Sequence, residues 1–223
     1  MIERYKAAIF DMDGTLLDSQ PIWRTSGKHF LRDRGLPIPD EIVDDRRLTC
    51  RASCQVIARE CDIGMDAEEL YQYLLRNYLP RRYIDDVQPR PGAHDLVRAF
   101  QARGVPCCIA TATPLYLARP AIRHHGFIGE VAFLIGGESL PVGKESPEFY
   151  RAVAHLMNCE PEECLVFEDA LYAVRSAKGA GCVVCAVEDD FAEPWREEIR
   201  GLADWYVEGF GEVLMALQEK SGG

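Results

Sequence analysis

The 223-residue chain is short of several things, and each shortage narrows its chemistry. No apolar run approaches the roughly 18 to 20 residues of a membrane-spanning helix. The opening residues, Met1-Ile2-Glu3-Arg4-Tyr5-Lys6, lack the apolar stretch and small-residue cleavage site of a secretory signal, so a native start and a cytoplasmic protein are expected. Basic charge is scarce: 25 Lys and Arg stand against 36 Asp and Glu, a formal net charge of −11. Nucleic acid is therefore a poor partner, because binding its backbone needs a basic face that releases counterions. No serine sits in a G-x-S-x-G elbow and no G-x-x-x-x-G-K-[ST] loop occurs, which sets aside triad hydrolases and P-loop nucleotide enzymes. No internal repeat is visible. The five histidines, His29, His94, His124, His125 and His155, form no ligand spacing, and His124-His125 before Gly126 reads as a helix end.

Cysteine is plentiful but follows no pattern. The nine are Cys50, Cys54, Cys61, Cys107, Cys108, Cys159, Cys164, Cys182 and Cys185. An odd total without regular spacing, partly inside apolar runs, reads as free thiols serving as small hydrophobes. Cys182-Val183-Val184-Cys185 has CxxC spacing, yet in a strand residues three apart point to opposite faces, and no second CxxC accompanies it. A zinc or redox centre is not expected there.

What is present is a rhythm. Strand-like apolar runs recur at Ala7–Phe10, Val105–Ala110, Val131–Ile135, Cys164–Phe167 and Cys182–Val187, with a short sixth at Trp205–Val207. Helical patterns alternate with them over Ala93–Arg103, Phe149–Met157 and Ala170–Ala180. Such alternation builds βαβ units and a parallel sheet covered on both faces, an α/β, Rossmann-like, doubly wound fold. With 48% hydrophobic residues the chain can fill one large core and a small accessory unit. Between residues 18 and 86 the strand signal vanishes, and three or four helices are expected: Pro21–Arg34, Asp40–Arg47, Arg51–Cys61 and Asp66–Tyr78. The expected domains are an α/β core, 1–17 and 87–223, and an inserted helical cap, 18–86. Pro89-Arg90-Pro91-Gly92 marks the return to the sheet, and the cap is placed by its insertion point over the strand ends, as a lid would be. A monomer is expected, and Ser221-Gly222-Gly223 reads as a disordered tail.

Four polar segments fall at strand ends: Asp11-Met12-Asp13-Gly14-Thr15, Thr111-Ala112-Thr113, Lys144, and Glu168-Asp169. Each has an ordinary explanation. Asp13-Gly14 makes turns, Thr113-Pro114 can be an N-cap and first helical residue, Glu168-Asp169 can cap a helix, and Lys144 can be a solvated charge. Taken together, they supply a nucleophile, an acid/base, hydroxyls, a cation and metal ligands around one crevice beyond the strand ends. The net negative charge then needs a local remedy, since an anionic substrate is met by a divalent cation and a lysine inside the cleft.

Ala8-Ile9-Phe10-Asp11-Met12-Asp13-Gly14-Thr15-Leu16-Leu17-Asp18-Ser19 resembles the first motif of the haloacid dehalogenase superfamily, in the branch whose helical cap follows that motif, home of β-phosphoglucomutase-like phosphatases. Thr111 matches the second motif, Lys144 the third, and Val166-Phe167-Glu168-Asp169 the fourth, in the family's order across essentially the whole chain. The resemblance implies Asp11 as nucleophile, forming an aspartyl-phosphate, and Asp13 as general acid and base. It implies Mg²⁺ held by the Asp11 carboxylate, the Asp13 backbone carbonyl and Asp169, with Glu168 direct or through water. Lys144 would pair with Asp11 and the phosphoryl group, and the Thr111 hydroxyl would bind its oxygens. Gly14, Thr15, Ala112, Trp23 and Arg51 are the candidate substrate contacts, with Thr15 either orienting Asp11 or Asp13 or stabilising the turn. Dehalogenases of the founding type lack the second aspartate, so Asp13 favours phosphoryl transfer.

Mutases of the β-phosphoglucomutase type place a histidine twelve residues after the nucleophile, where this chain has Trp23. An indole cannot exchange protons near neutral pH. Their cap arginine falls at Cys50, beside Arg51, while Arg46-Arg47 reads as a solvated pair or a substrate contact. Gln20-Pro21-Ile22-Trp23 resembles sugar-phosphate phosphatases instead. Lys144-Glu145-Ser146-Pro147, Ala170 and Ala173 depart from common family residues without removing a charged group. The expected activity is Mg²⁺-dependent hydrolysis of a small phosphomonoester, sugar phosphates foremost. A phosphosugar mutase and a catalytically silent phosphometabolite-binding protein are the alternatives. Among cap residues, Trp23, Arg46, Arg47, Arg51, Tyr71 and Tyr83 stand as unranked candidates for reading the leaving group.

Overall fold

A computed structural model describes residues 4–44 and 48–218. It divides into two compact units, Met1–Asp18 with Pro89–Gly223, and Ser19–Gln88. In chain order the elements are β1 (Ala7–Phe10), α1 (Gln20–Asp33), α2 (Asp40–Asp44), α3 (Cys50–Glu60), α4 (Ala67–Asn77), α5 (Leu79–Asp85), α6 (Ala93–Gln101), β2 (Cys107–Thr111), α7 (Leu115–His124), β3 (Leu134–Gly136), α8 (Pro147–Leu156), β4 (Cys164–Glu168), α9 (Leu171–Ala180), β5 (Val183–Val187), α10 (Arg196–Leu202), β6 (Trp205–Val207) and α11 (Phe210–Gln218). Arg46 and Arg47, the expected end of the second helix, lie outside the described residues, as does the Ser221-Gly222-Gly223 tail.

The larger unit is a six-stranded sheet of order β3-β2-β1-β4-β5-β6 in which every pairing is parallel. Its central strands are buried at every position, and apolar apart from Glu168 at the end of β4, because both faces are covered. Alternate residues take alternate faces. Ala7 and Ile9 join Val166 and Val184 in a cluster with Val153 and Ala154 of α8 and Val174 and Ala177 of α9. On the other side Phe10 stacks on Phe167 at 4.7 Å, with Phe100 of α6 and Phe210 of α11 meeting that pair edge-on. The chain runs outward from β1 through β2 to β3, then returns to the opposite flank of β1 and proceeds through β4, β5 and β6. The strand order therefore reverses between β1 and β4, and a doubly wound sheet opens a crevice at such a reversal.

Two strands differ from their sequence spans by more than one residue at an end. β2 begins at Cys107 because Pro106 has no N–H for the ladder, and the Val105 N–H turns back to Phe100 O at 3.0 Å. β3 is confined to Leu134–Gly136, although Ala132 N still donates to Cys107 O at 2.7 Å. The α7 helix also starts later than the Thr113-Pro114 pair suggests. Pro114 has extended backbone (ψ 136°), so the first turn opens at Leu115 and Thr113 is released from capping. The helix ends at His124, and Gly126 turns the chain away in the left-handed region at φ +82°.

In the helical unit, Phe30 and Leu31 of α1, Cys54 and Ile57 of α3, and Leu70 and Leu74 of α4 form the core. Gly27 lies mid-helix where a Cβ would come within 2.9 Å of Ile57 Cδ1, so its missing side chain lets α1 and α3 approach closely. A reciprocal capping box opens α4: Glu69 N donates to Asp66 Oδ1 at 2.8 Å and Asp66 N to Glu69 Oε2 at 2.9 Å. The α5 helix is an addition to the sequence expectation. Pro80 fits the first turn of a new helix, where its missing N–H costs nothing.

All nine cysteines are free thiols. Among the described residues no helix is long and apolar enough to cross a membrane. Phe167 anchors the aromatic face of the sheet, so Phe167→Ala should cost about 3–5 kcal/mol of stability, read as a shifted midpoint in urea unfolding followed by far-ultraviolet circular dichroism.

Candidate active site

The reversal point carries the acidic residues. Asp11 follows β1 directly, and its backbone N–H donates to Phe167 O of β4 at 3.0 Å, which brings the end of β1 beside Glu168 and Asp169. Carboxylate oxygens of Asp11, Glu168 and Asp169 lie within 4.8 Å of one another, and all three residues are buried. Lys144, 2% exposed, forms ion pairs with both Asp11 Oδ1 and Glu168 Oε1. A lysine in a loop between β3 and α8 would ordinarily seek solvent; here two carboxylates compensate its burial.

How the loop reaches the site is visible at Gly137. A Cβ there would stand 3.9 Å from Ala112 Cα, Thr111 O and Lys144 N, so the chain leaving β3 runs beside the end of β2 and delivers Lys144 behind it. Glu168 is held at both oxygens. Oε2 accepts from the N–H groups of Asp169 at 2.9 Å and Ala170 at 3.0 Å, and Oε1 accepts from the buried Tyr150 hydroxyl at 3.3 Å as well as from Lys144. The α9 helix that follows has Ala170 at its N-cap and no side-chain cap, so Glu168-Asp169 serves the strand end and not the helix start.

The first loop is a tight turn. Gly14 N donates to Leu17 O at 2.8 Å and Leu17 N to Met12 O at 2.9 Å, with Gly14 in the left-handed region at φ +89°. Asp13 is partly exposed, and its Oδ2 accepts from the Thr113 hydroxyl at 2.7 Å. The buried Thr111 Oγ1 accepts from Thr113 N at 3.0 Å, while Ala112 between them is exposed. The Thr15 hydroxyl donates to Asp169 Oδ1 at 3.4 Å, so it braces the fourth segment and not Asp11 or Asp13.

Charge in this cluster is unbalanced: three buried carboxylates surround one ammonium. Burial, reinforced by Glu168, pushes the Asp11 carboxyl above the usual carboxylate range despite the pull of Lys144. Burial also raises Asp169, with Asp11 and Glu168 adding to it. For Lys144 burial acts downward, but Asp11 and Glu168 outweigh it and hold the ammonium charged well above its ordinary range. The three carboxylates share one shortage, that of positive charge, and they offer only oxygen donors. Among the described residues, this is the group of acidic, histidine or cysteine side chains close enough to hold a metal ion. Cys182 and Cys185 do not form one.

Asp11, Asp13, Gly14, Thr15, Thr111, Ala112, Lys144, Glu168 and Asp169 thus stand in the segments that end β1 and β2, precede α8 and end β4. Trp23 and Arg51 belong to the helical unit and have partners there. The Trp23 indole N–H donates to the Tyr83 hydroxyl at 2.8 Å, with the rings edge-to-face at 6.4 Å. Arg51 pairs with Glu68 and lies 4.1 Å over the Tyr71 ring. Sequence reasoning missed Tyr150, and it named Thr113 within the Thr111-Ala112-Thr113 segment without its contact to Asp13. Tyr150 is three residues past Pro147 within an apolar helical stripe and reads as core; Thr113 reads as a cap until Pro114 is seen to be extended.

Comparison with known proteins agrees with this geometry. A family model described as haloacid dehalogenase-like hydrolase matches residues 5–181. Hexitol phosphatase A of Escherichia coli (strain K12) is 28% identical over 200 residues, 88% of this chain and 89% of the relative. Validoxylamine A 7'-phosphate phosphatase of Streptomyces hygroscopicus subsp. limoneus is 30% identical over 183 residues, 79% of this chain and 83% of the relative. Among solved structures, a provisionally named β-phosphoglucomutase from Thermotoga maritima superposes with a TM-score of 0.79 at 23% identity, covering 96% of this chain and 99% of that one. CbbY from Rhodobacter sphaeroides, in complex with phosphate, gives 0.75 at 22% identity, covering 94% of this chain and 96% of that one. The parallel sheet with its crevice at the β1/β4 reversal is the fold these structures share, and the chain belongs to the haloacid dehalogenase-like hydrolases, as an enzyme of the phosphatase kind.

Proposed function

We propose that this protein hydrolyses a small phosphomonoester, a sugar phosphate foremost, through an aspartyl-phosphate on Asp11. The observation that carries the reading is the buried group of Asp11, Glu168 and Asp169 around Lys144 at the reversal of strand order. Oxygen-only donors with an uncompensated negative charge suit a hard divalent cation, and Mg²⁺ fits that set. Asp11, Asp169 and the Asp13 carbonyl would hold it. Glu168, with both oxygens already bonded, is better placed to support the site through Lys144, Tyr150 and the backbone than as a free ligand. When bound, Mg²⁺ would offset charge on the phosphoryl oxygens and restore Asp11 and Asp169 to the carboxylate form.

The chain's own groups supply the rest. Asp11 attacks phosphorus and the ester oxygen leaves with the proton of the Asp13 carboxyl. Asp13 then takes a proton from the water that cleaves the acyl phosphate. The Thr113 hydroxyl aims Asp13 for this exchange. Lys144 holds Asp11 against the incoming anion and lowers the repulsion between them. The Thr111 hydroxyl and the exposed backbone at Ala112 lie at the neighbouring strand end, positioned to receive phosphoryl oxygens. We place the helical unit as the cap that reads the leaving group. The named relatives act on hexitol phosphates and on validoxylamine A 7'-phosphate, which supports a phosphorylated polyol or sugar as the substrate class here. The reading takes the protein as a monomer with a small-molecule substrate and no nucleic-acid partner.

Hydrolysis of p-nitrophenyl phosphate should require Mg²⁺, vanish with excess EDTA and return when Mg²⁺ is restored. Asp11→Asn should lower kcat by about 10³-fold or more, and Asp13→Asn by about 10²- to 10⁴-fold. Turnover unaffected by Asp11→Asn would identify a phosphometabolite-binding protein with contaminating activity. The mutase alternative is checked separately. β-Glucose 1-phosphate with a bisphosphate primer should give free phosphate and no glucose 6-phosphate, because the Trp23 indole is a donor only and cannot serve as a general acid or base near neutral pH.

A further inference from the structure

Arg90 takes no part in the chemistry just described, yet the first loop leans on it. It lies in Pro89-Arg90-Pro91-Gly92, where the chain returns to the sheet. Pro89 forms an isolated antiparallel bridge with Leu17, and the Arg90 N–H donates to Leu16 O at 2.9 Å. Its side chain, 17% exposed, then reaches three further acceptors. Nη1 donates to Gly14 O at 2.5 Å and to Asp189 Oδ2 at 3.4 Å, and Nη2 donates to Glu188 O at 2.7 Å. Asp189 is itself held, since its Oδ1 accepts from Phe191 N at 2.8 Å in the segment after β5. A planar fork with several donors matches two carbonyls and a carboxylate in a way that a lysine ammonium cannot.

Gly14 is the weak point of the loop. Its φ of +89° is open to glycine at no steric cost, and the same freedom would let the peptide swing. A swing at Gly14 would re-aim the carbonyl and the carboxylate of Asp13, one residue before it. We propose that Arg90 is a positioning residue for the reaction: it clamps the Gly14 carbonyl to the segment after β5 and so fixes the Asp11–Thr15 loop in its working geometry. The inference rests on the phosphatase reading for its effect on rate, and on the hydrogen bonds alone for its effect on the loop.

Arg90→Lys keeps the charge and loses the fork. Steady-state hydrolysis of p-nitrophenyl phosphate and amide hydrogen exchange are compared with the parent protein. We expect kcat to fall about 10- to 100-fold with KM within about threefold, as displacement of reacting groups by roughly 1 Å would produce. The peptide covering residues 11–17 should exchange at least about fivefold faster, while peptides from β2 and β3 keep the parental rate. Unchanged exchange in residues 11–17 overturns the proposal whatever happens to kcat, and so does an unchanged kcat in a parent that hydrolyses the substrate. If the parent hydrolyses no phosphomonoester, the phosphatase reading fails and the exchange comparison still decides the role of Arg90. Should Arg90→Lys not fold, Asp189→Asn replaces it: this removes one contact and leaves the arginine and both carbonyl bonds, and a smaller acceleration of the same peptide supports the clamp, whereas none overturns it.

Discussion

Everything at the end of the sheet answers to one imbalance, three carboxylates buried against a single ammonium. Taking a carboxylate out of water costs several kcal/mol even after relaxation, and three of them within 4.8 Å repel one another as well. Lys144 meets only part of that demand. A further part is met by the backbone, where two N–H groups point at Glu168, and by the hydroxyls of Thr15 and Tyr150. On the proposed reading, a divalent cation would relieve that imbalance and leave Asp11 able to attack phosphorus.

The fold is what makes this concentration of charge tolerable. Asp11 and Asp169 follow strands far apart in sequence, and the β1–β4 pairing, with Phe10 in register with Phe167, brings those strand ends together. Behind them the stacked Phe10 and Phe167 rings and the edge-on Phe100 and Phe210 form a rigid apolar floor. Repulsion among the carboxylates therefore cannot relax by moving the strands apart without breaking that packing.

Much of the core and of its charged groups is legible in the sequence, because both rest on local signals. Continuous apolar runs mark buried strands, and Asp11, Lys144 and Asp169 stand directly at their ends or in the following loop. The residues that escape such a reading act across the fold. Tyr150 and Thr113 are indistinguishable by sequence from a core tyrosine and a helix cap; only the approach of α8 to β4, and the extended backbone at Pro114, give them partners. Thr15 reads with its neighbours in the first loop, but its hydroxyl meets Asp169, which lies 154 residues away. Arg90 meets Gly14 across 76 residues and Glu188 across 98. The start of β2 moves by two residues for a simpler reason, the missing N–H of Pro106.

The bridge between Leu17 and Pro89 determines how the helical segment is joined to the core. The two points where the helical segment departs and rejoins are neighbours on paired backbone, about 5 Å apart as antiparallel partners are. A gap that narrow can be closed by a two-residue turn, or opened to admit any module whose own ends meet. The core thus offers two adjacent threads at the point of insertion, a join that fixes neither the length nor the fold of what lies between them.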